Sequence, residues 1–345
     1  MDKTIVLKYF ADINKQNFDF ITITNKEWYS LFLDEIRNSI AIEGIFANRN
    51  DLLHVINKTQ KSNSQKTSAI LGYFETASSV YEYAKKLFKN NEFTIRQSDL
   101  KQIHTLLMRY EKQNGYYKGP LGEYRLENVE VFNSKFTPVN YIYINDVMNV
   151  FLKWINKSLK NKNPDKIRFA ALSHILFETI HPFRDGNGRT GRIFLSYLLI
   201  GTGFLNIAIK GVKKAERERY YDAMETSDTE FEKMLREVEK GLILTSGVIE
   251  EYAKNTETSL IEEIITDELS YSFERMIYNK SGFLNSDALL PLRDAAKFFN
   301  YSQDYLRNLI NSGNLQGRKK GKLWYVKLSD LEKYVNNIDS IKSVF

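Results

Sequence analysis

His181-Pro182-Phe183-Arg184-Asp185-Gly186-Asn187-Gly188-Arg189-Thr190-Gly191-Arg192 is the stretch around which the chain is organised. It gathers one imidazole, one carboxylate, a Gly-Asn-Gly turn and three arginines. The apolar runs Ile193-Phe194-Leu195 and Tyr197-Leu198-Leu199-Ile200 follow and read as a buried helix ending at Gly201. The glycine-rich turn therefore lies at a helix N-terminus, where unpaired N–H groups and the helix dipole favour an anion. Successive N–H groups around a Gly-X-Gly turn form a nest suited to phosphate oxygens. Arg189 and Arg192 lie close to one helical face, so both can reach one polyphosphate. Asp185 offers a hard oxygen to Mg²⁺, which needs few carboxylates when phosphates complete its shell. His181, just ahead of the turn, can take a proton near neutral pH. The residues alone point to transfer chemistry on a nucleotide phosphate.

The stretch resembles the signature of Fic-domain proteins, His-x-Phe-x-(Asp/Glu)-Gly-Asn-Gly-Arg-x-x-Arg, and matches every fixed position. The resemblance implies a mainly α fold, a Fic-type helical bundle with a β-hairpin flap. It implies an enzyme, a nucleotidyltransferase that moves AMP from ATP to a Tyr, Thr or Ser hydroxyl of a target protein, which can be the enzyme itself. Carried onto this chain, His181 would deprotonate the hydroxyl and Asp185 would hold Mg²⁺. Gly186, Asn187 and Gly188 would cradle the phosphates, with Thr190 and Gly191 in the same ATP-binding turn. Arg189 and Arg192 would anchor the β/γ end, and Phe183 would plug into the core and fix the loop. Other transfers on this scaffold, or removal of AMP, stay as alternatives. So does a DNA-binding regulator whose Fic part only senses nucleotide.

Three further stretches extend the resemblance. Ser39-Ile40-Ala41-Ile42-Glu43-Gly44 ends a predicted helix over about 26–44 and matches the inhibitory motif (Ser/Thr)-x-x-x-Glu-(Gly/Asn). A Glu43 carboxylate paired with Arg192 would occupy that guanidinium and repel the γ-phosphate. Lys118-Gly119-Pro120-Leu121-Gly122-Glu123-Tyr124-Arg125, followed by the alternating Asn128-Val129-Glu130-Val131-Phe132, resembles the Fic flap. Val129, Glu130, Val131 and Phe132 would line its edge, and an exposed strand edge recruits a target segment. Tyr220-Tyr221-Asp222-Ala223 resembles the Tyr-Tyr-x-Ala of relatives, which offers Tyr221 to the adenosine. Asp228 stands where relatives often have an adenine-contacting Asn. His104 and His174 sit in apolar helical patterns and read as packing residues.

The chain has 345 residues, enough for about two domains, and is 43% apolar and 27% charged. It has no cysteine and four histidines, which excludes disulfides and thiolate metal sites and leaves little for a zinc centre. No run approaches the ~18 apolar residues of a membrane span, and the start lacks a secretory signal, so a cytoplasmic protein is expected. The net charge of +6 permits an anionic partner. Helices are expected over about 68–89 and 97–112, from Tyr141 to Asn156, and over Ile167–Glu178. Residues 1–25 read as short strands or an extended arm, and 48–65 as an exposed loop.

From Asp287 the text changes. Leu292–Phe299 reads as a short helix, Ser302 as an N-cap, and Tyr305-Leu306 with Leu309-Ile310 as one face of a second helix stopped by Gly313. Leu315–Val326 reads as a hairpin with a basic tip, and Ser329-Asp330-Leu331-Glu332 as a capping box. This resembles the winged helix-turn-helix of excisionase and MerR-like DNA binders, offering Arg307, Asn308, Asn311, Arg318, Lys319, Lys320 and Lys322 to DNA. The expected organisation is an N-terminal region over 1–110, a Fic core over 111–250 with flap about 124–138, a helical linker over 251–284, and the winged helix over 285–345. The sequence leaves open whether the inhibitory helix serves its own chain or a neighbouring copy in a homodimer.

Overall fold

A helix that is apolar all round has no face for solvent and belongs in the middle of a bundle. Lys166–Ile180 is such a helix, buried from Ile167 to Ile180 apart from Arg168 and Glu178. A turn reverses the chain into Asn187–Gly201, whose residues are also nearly all buried. In the computed structural model these two helices form the core, with the signature loop at one end. The structure describes residues 21–57, 63–131, 136–160, 165–280, 289–298, 301–320 and 323–327, with single residues 3, 6, 7, 10, 330, 331 and 334.

In chain order the helices of the first unit are α1 (Lys26–Ile42), α2 (Arg49–Ile56), α3 (Gln65–Lys89), α4 (Gln97–Gln113), α5 (Ile144–Lys160), α6 (Lys166–Ile180), α7 (Asn187–Gly201), α8 (Lys214–Ser227), α9 (Thr229–Glu239), α10 (Ser246–Asn255) and α11 (Ser259–Lys280). A 3-10 turn, Tyr141–Tyr143, leads into α5. Helices α3 and α4 pack on each other and on α7. Their crossing is close enough that a Cβ at Gly72 would stand 2.0 Å from the Leu107 carbonyl oxygen, so only glycine fits. Helix α5 buries Val147, Phe151 and Trp154 and donates from Trp154 Nε1 to Glu250 of α10 at 2.8 Å.

Two expectations are corrected. Lys3, Val6, Leu7 and Phe10 are helical, where strands or an extended arm were expected. Their spacing is that of one helical face, with Val6 fully buried and the Phe10 ring 4.6 Å from Phe204. Within the expected loop over 48–65, residues Arg49–Ile56 are helical. Asn48 and Asp51 form a reciprocal capping box, and Leu52 and Val55 are buried.

The chain divides into two compact units, residues 1–273 and 274–345. The first includes most of α11, where Ser272 donates to the Asn206 carbonyl and Phe273 packs on Phe204. The second contains β1 (Leu289–Pro291), α12 (Leu292–Phe298), α13 (Gln303–Asn311), β2 (Gly317–Lys320) and β3 (Leu323–Lys327). Its antiparallel sheet has the order β1-β3-β2, with Pro291 opposite Tyr325 and Arg318 opposite Tyr325. Leu292, Ala295, Leu306, Leu309, Leu315, Val326 and Leu331 form its core. Ser302 caps α13, and Gly313 takes the left-handed φ of +77° that stops it. Ser329, Glu332, Lys322 and Phe132 lie outside the described residues, as does the side chain of Lys320.

Candidate active site

Helix α6 ends because His181 adopts a left-handed conformation, φ +52°, uncommon for a residue with a Cβ. The turn is then fixed by side chains. Asn187 Oδ1 accepts from Phe183 N at 2.8 Å, and its Nδ2 donates to Phe183 O at 2.8 Å. Phe183 is fully buried and stacks on His104, ring centroids 4.0 Å apart. His104 in turn contacts the Asp185 carbonyl through Nε2 at 3.1 Å and accepts from Gly122 N at Nδ1. An accepting Nδ1 leaves Nε2 as the donor, which assigns its tautomer. Gly186 has φ +77° and abuts Met108, so glycine is required there twice over. His104 is therefore a packing residue, as expected, that also holds the signature loop.

His181 is half-buried at the mouth of this turn. Its Nδ1 lies 3.3 Å from the Glu178 carbonyl oxygen. A proton on Nδ1 suits that carbonyl and leaves the Nε2 lone pair as the base. Burial pushes its pKa down to about 4. The charge of Arg125 acts the same way, against the Glu178 carbonyl, Glu43 and Asp185. The ring is thus neutral at physiological pH. Asp185 is exposed beside it, with Oδ1 accepting from Gly186 N.

The two arginines that end the signature are both buried and both paired. Arg192 donates from Nε to Ser39 Oγ at 2.8 Å and from Nη2 to Ser39 O at 3.0 Å and Glu43 Oε1 at 2.5 Å. Glu43 is the C-cap of α1 and keeps 36% of its side chain exposed, against 4% for Arg192. Burial works to raise its carboxyl, but the charges of Arg192 and Arg189 outweigh that and hold it below its ordinary value. The same Oε1 lies 2.5 Å from where a Cβ on Gly188 would stand. Gly44 follows at φ +79°, the left-handed stop of α1. Arg189 pairs with Glu111 of α4 at 2.9 Å.

The remaining expected site residues fall in three places. Thr190 is fully buried and Gly191 faces Phe177 and Glu178, so both lie against the core side of α7. Asn187 spends its side chain on Phe183, leaving its backbone for any ligand. Tyr221 is exposed, and its hydroxyl donates to Ile42 O at 2.6 Å, at the end of α1. Behind it Tyr220 is buried, hydrogen-bonded to His174 Nε2 at 2.8 Å, while His174 Nδ1 meets Gly191 O.

The tip of the expected flap hairpin, residues 132–135, lies outside the described residues. Among the described residues, Val129, Glu130 and Val131 form no ladder with the returning limb. Its base is instead clamped by Arg125, which donates to the carbonyls of Glu127 at 3.0 Å, of Val139, and of His181 at 2.9 Å. This role of Arg125, and the contacts of Met108 and Glu111 with the signature loop, lie outside the motifs. The spacing of His104, Met108 and Glu111 on one face of α4 is the signal that could have found them.

In the second unit Arg307 is exposed but paired with Asp304 at 3.0 Å, and Lys319 lies over the Trp324 ring at 5.9 Å.

Residues 94–199 match the Fic/DOC family, and residues 289–338 match a helix-turn-helix domain. A protein of Aquifex aeolicus named "Probable protein adenylyltransferase aq_aa38" is 30% identical over 276 residues, 76% of this chain and 76% of that protein. The chain belongs to the Fic/DOC family. "Protein adenylyltransferase fic-1" of Caenorhabditis elegans is 27% identical over 141 residues, 41% of this chain and 27% of that one. Among solved structures, a Fic domain containing signaling protein of Bacteroides thetaiotaomicron superposes with a TM-score of 0.58 at 16% identity, covering 79% of this chain and 96% of that chain. A fragment of Fic-1 of C. elegans gives 0.57 at 17% identity, covering 78% and 69%.

Proposed function

We propose that the chain is a self-inhibited protein adenylyltransferase that moves AMP from ATP to a hydroxyl of a target protein. The single observation behind the reading is where Glu43 sits. Its carboxylate pairs with Arg192 and lies over Gly188, at the start of α7. A helix start that attracts anions therefore faces the chain's own carboxylate, beside a neutral imidazole. The names of the relatives in Aquifex and C. elegans support the same activity.

In the transfer, the acceptor oxygen forms a bond to the α-phosphorus, and the bond from that phosphorus to the α–β bridging oxygen breaks. Pyrophosphate leaves. His181 Nε2 takes the hydroxyl proton, with Nδ1–H on the Glu178 carbonyl holding the ring in place. Gly186, Asn187 and Gly188 offer backbone N–H groups to the phosphates, and Arg189 and Arg192 offer charge at the β/γ end. Among the described residues no three His, Asp or Glu side chains converge on a cation. Asp185 alone is a fitting holder for Mg²⁺, because the phosphates complete its shell. When bound, the ion would neutralise charge on the phosphates and on the departing pyrophosphate. Glu43 opposes all of this by occupying Arg192, so a γ-phosphate meets like charge.

Self-modification from α-labelled ATP tests the assignment. Glu43→Gly should raise labelling by at least about tenfold, the effect of restoring one charge-assisted phosphate contact. His181→Ala in that background should abolish it. Equal labelling by all forms would reject both roles.

The second unit supports a further, separate partner. Its helix-turn-helix match and the basic strand Arg318-Lys319-Lys320 favour DNA, with Arg307, Asn308 and Asn311 on α13 for the groove. A gel shift of the full chain on random duplex DNA, with and without Arg318→Glu and Lys319→Glu, tests it. Unshifted DNA at low salt would reject it.

A further inference from the structure

Both arginines of the signature face a carboxylate, but the two carboxylates differ in kind. Glu43 sits at the rim with 36% of its side chain exposed. Glu111 and Arg189 are sealed in, with side chains 3% and 6% exposed. Burying two charges is costly unless geometry and hydrogen bonding are complete, and here they are not. The pair meets through Arg189 Nη1 and Glu111 Oε2 at 2.9 Å, but Arg189 Nε has no acceptor. Arg189 Nη2 reaches only the Met108 sulfur, at 3.5 Å. Arg189 is thus held by one carboxylate contact while its Nε and Nη2 find no oxygen acceptor. Native proteins seldom leave a buried donor so, and one beside an anion-binding turn is open to a phosphate oxygen.

Helix α4 supplies the whole support. His104, Met108 and Glu111 recur at intervals of four and three, one face of a helix. From that face His104 fixes the Asp185 carbonyl and stacks on Phe183, Met108 lies against Gly186, and Glu111 meets Arg189. Glu111 is in the last turn of α4 and its backbone carbonyl accepts from Tyr116 and Tyr117, so the residue is anchored. It cannot swing away as a rim carboxylate can.

We propose that Glu111 is a positioning residue: it orients the Arg189 guanidinium toward the nucleotide phosphates and stays in place while Glu43 governs Arg192. The proposal rests on the nucleotide reading above. It assigns the two carboxylates opposite effects, since Glu43 opposes transfer and Glu111 supports it.

The test uses the full chain in the Glu43→Gly background, with α-labelled ATP and a dissociation constant for ATP measured alongside. Glu111→Ala should lower kcat/KM for ATP about tenfold or more. Arg189→Ala should do the same, and the double variant should lose no more than either alone, the mark of two residues acting as one. Glu111→Gln, which keeps an amide oxygen beside the guanidinium, should recover most of the loss. Unchanged kcat/KM in Glu111→Ala would overturn the proposal. So would additive losses in the double variant, or equal losses in Ala and Gln forms, since a merely structural role predicts both. If Glu111→Ala fails to fold, Glu111→Leu, which keeps the bulk but offers no acceptor, takes its place in the cycle with Arg189→Ala: non-additive losses support the proposal and additive ones reject it. If Glu43→Gly itself neither binds ATP nor labels, the nucleotide reading fails instead, and the two failures are told apart.

Discussion

At the scale of the residue, the outcome turns on one imidazole. His181 is held neutral by burial, with its pKa pushed down to about 4. Glu43 works to raise it, so removing Glu43 lowers it further. A base that is unprotonated throughout the working range gives no acid limb there. We expect kcat/KM of Glu43→Gly in excess magnesium to vary by less than about twofold between pH 6 and 8. An acid limb near pH 6.5 would mean an ordinary histidine and would refute the neutral, buried base. Much of this site was legible in the sequence because its chemistry is local. His181, Asp185, the Gly-Asn-Gly turn and Arg192 lie within one turn and one helix start, and Ser39 and Glu43 both reach Arg192. What was not legible was the support from distant segments. Nothing in Arg125 or Glu111 reads as functional until folding brings them to His181 and Arg189.

At the scale of the element, α1 is set in register by more than its inhibitory end. Glu35, Ser39 and Glu43 are four apart and share one face, as Arg192 and Ser196 do on α7. Ser39 and Glu43 hold Arg192. Glu35, fully buried, accepts from Tyr73 at 3.0 Å, Tyr81, Ser196 at 3.3 Å and Asn206 at 2.7 Å. Asn206 also accepts from Trp28 Nε1 at 2.8 Å, so the network ties the start of α1 as well. Glu35→Ala leaves several buried donors without an acceptor, at about 1–3 kcal/mol each. Partial relaxation leaves a net loss on the order of 3–5 kcal/mol, or roughly 6–15 °C in Tm for a unit of this size. The loosened helix should also release Arg192, so self-labelling of the folded fraction should rise. A parent-like melting curve would show that Glu35 does not pin the helix. Elements were legible where apolar spacing was strong, as in α4, α6 and α7. Helix α2 is signalled by the Asn48-x-x-Asp51 cap and the spacing of Leu52 and Val55, but the polar run after it gives the stretch the composition of a loop. At the flap, Arg125 joins the two limbs through the Glu127 and Val139 carbonyls, a role that alternation in the sequence does not show.

At the scale of the molecule, the chain is two compact units, and the first carries an unusual set of buried titratable groups. The division falls within α11, between Phe273 and Glu274, where no turn or glycine marks it. A break inside a continuous helix has no signature in sequence, whereas the change of wording at Asp287 did announce the helix-turn-helix. In the first unit burial pushes His104 down to about 4, His174 to about 3 and His181 to about 4. Burial also pushes Glu35 up to about 7 and Glu178 to about 8. Asp228 rises to about 7 through burial and its neighbours Glu232 and Glu225. The histidines bind fewer protons folded than unfolded between pH ~4 and ~6.5, so their contribution is present above that window and lost as pH falls. The carboxyls bind more protons folded than unfolded from pH ~4.5 upward, so their contribution is lost as pH rises to ~7 or ~8. Between pH ~4.5 and ~6.5 the two sets oppose each other and stability should be nearly flat. Above pH ~6.5 the histidines are neutral in both states and only the carboxyls act, giving a loss of stability that continues to about pH 8. Melting of the unliganded chain from pH 4.5 to 8.5 should therefore show a plateau on the acid side and a fall on the alkaline side. Glu35→Gln, neutral at every pH, should flatten that fall while losing the Asn206 bond, because its amide turns a donor toward the Asn206 Nδ2 donor. Stability that climbs steadily from pH 5 to 8 would mean that these carboxyls are ionised in the folded protein, and that the four donors around Glu35 overcome the cost of its burial.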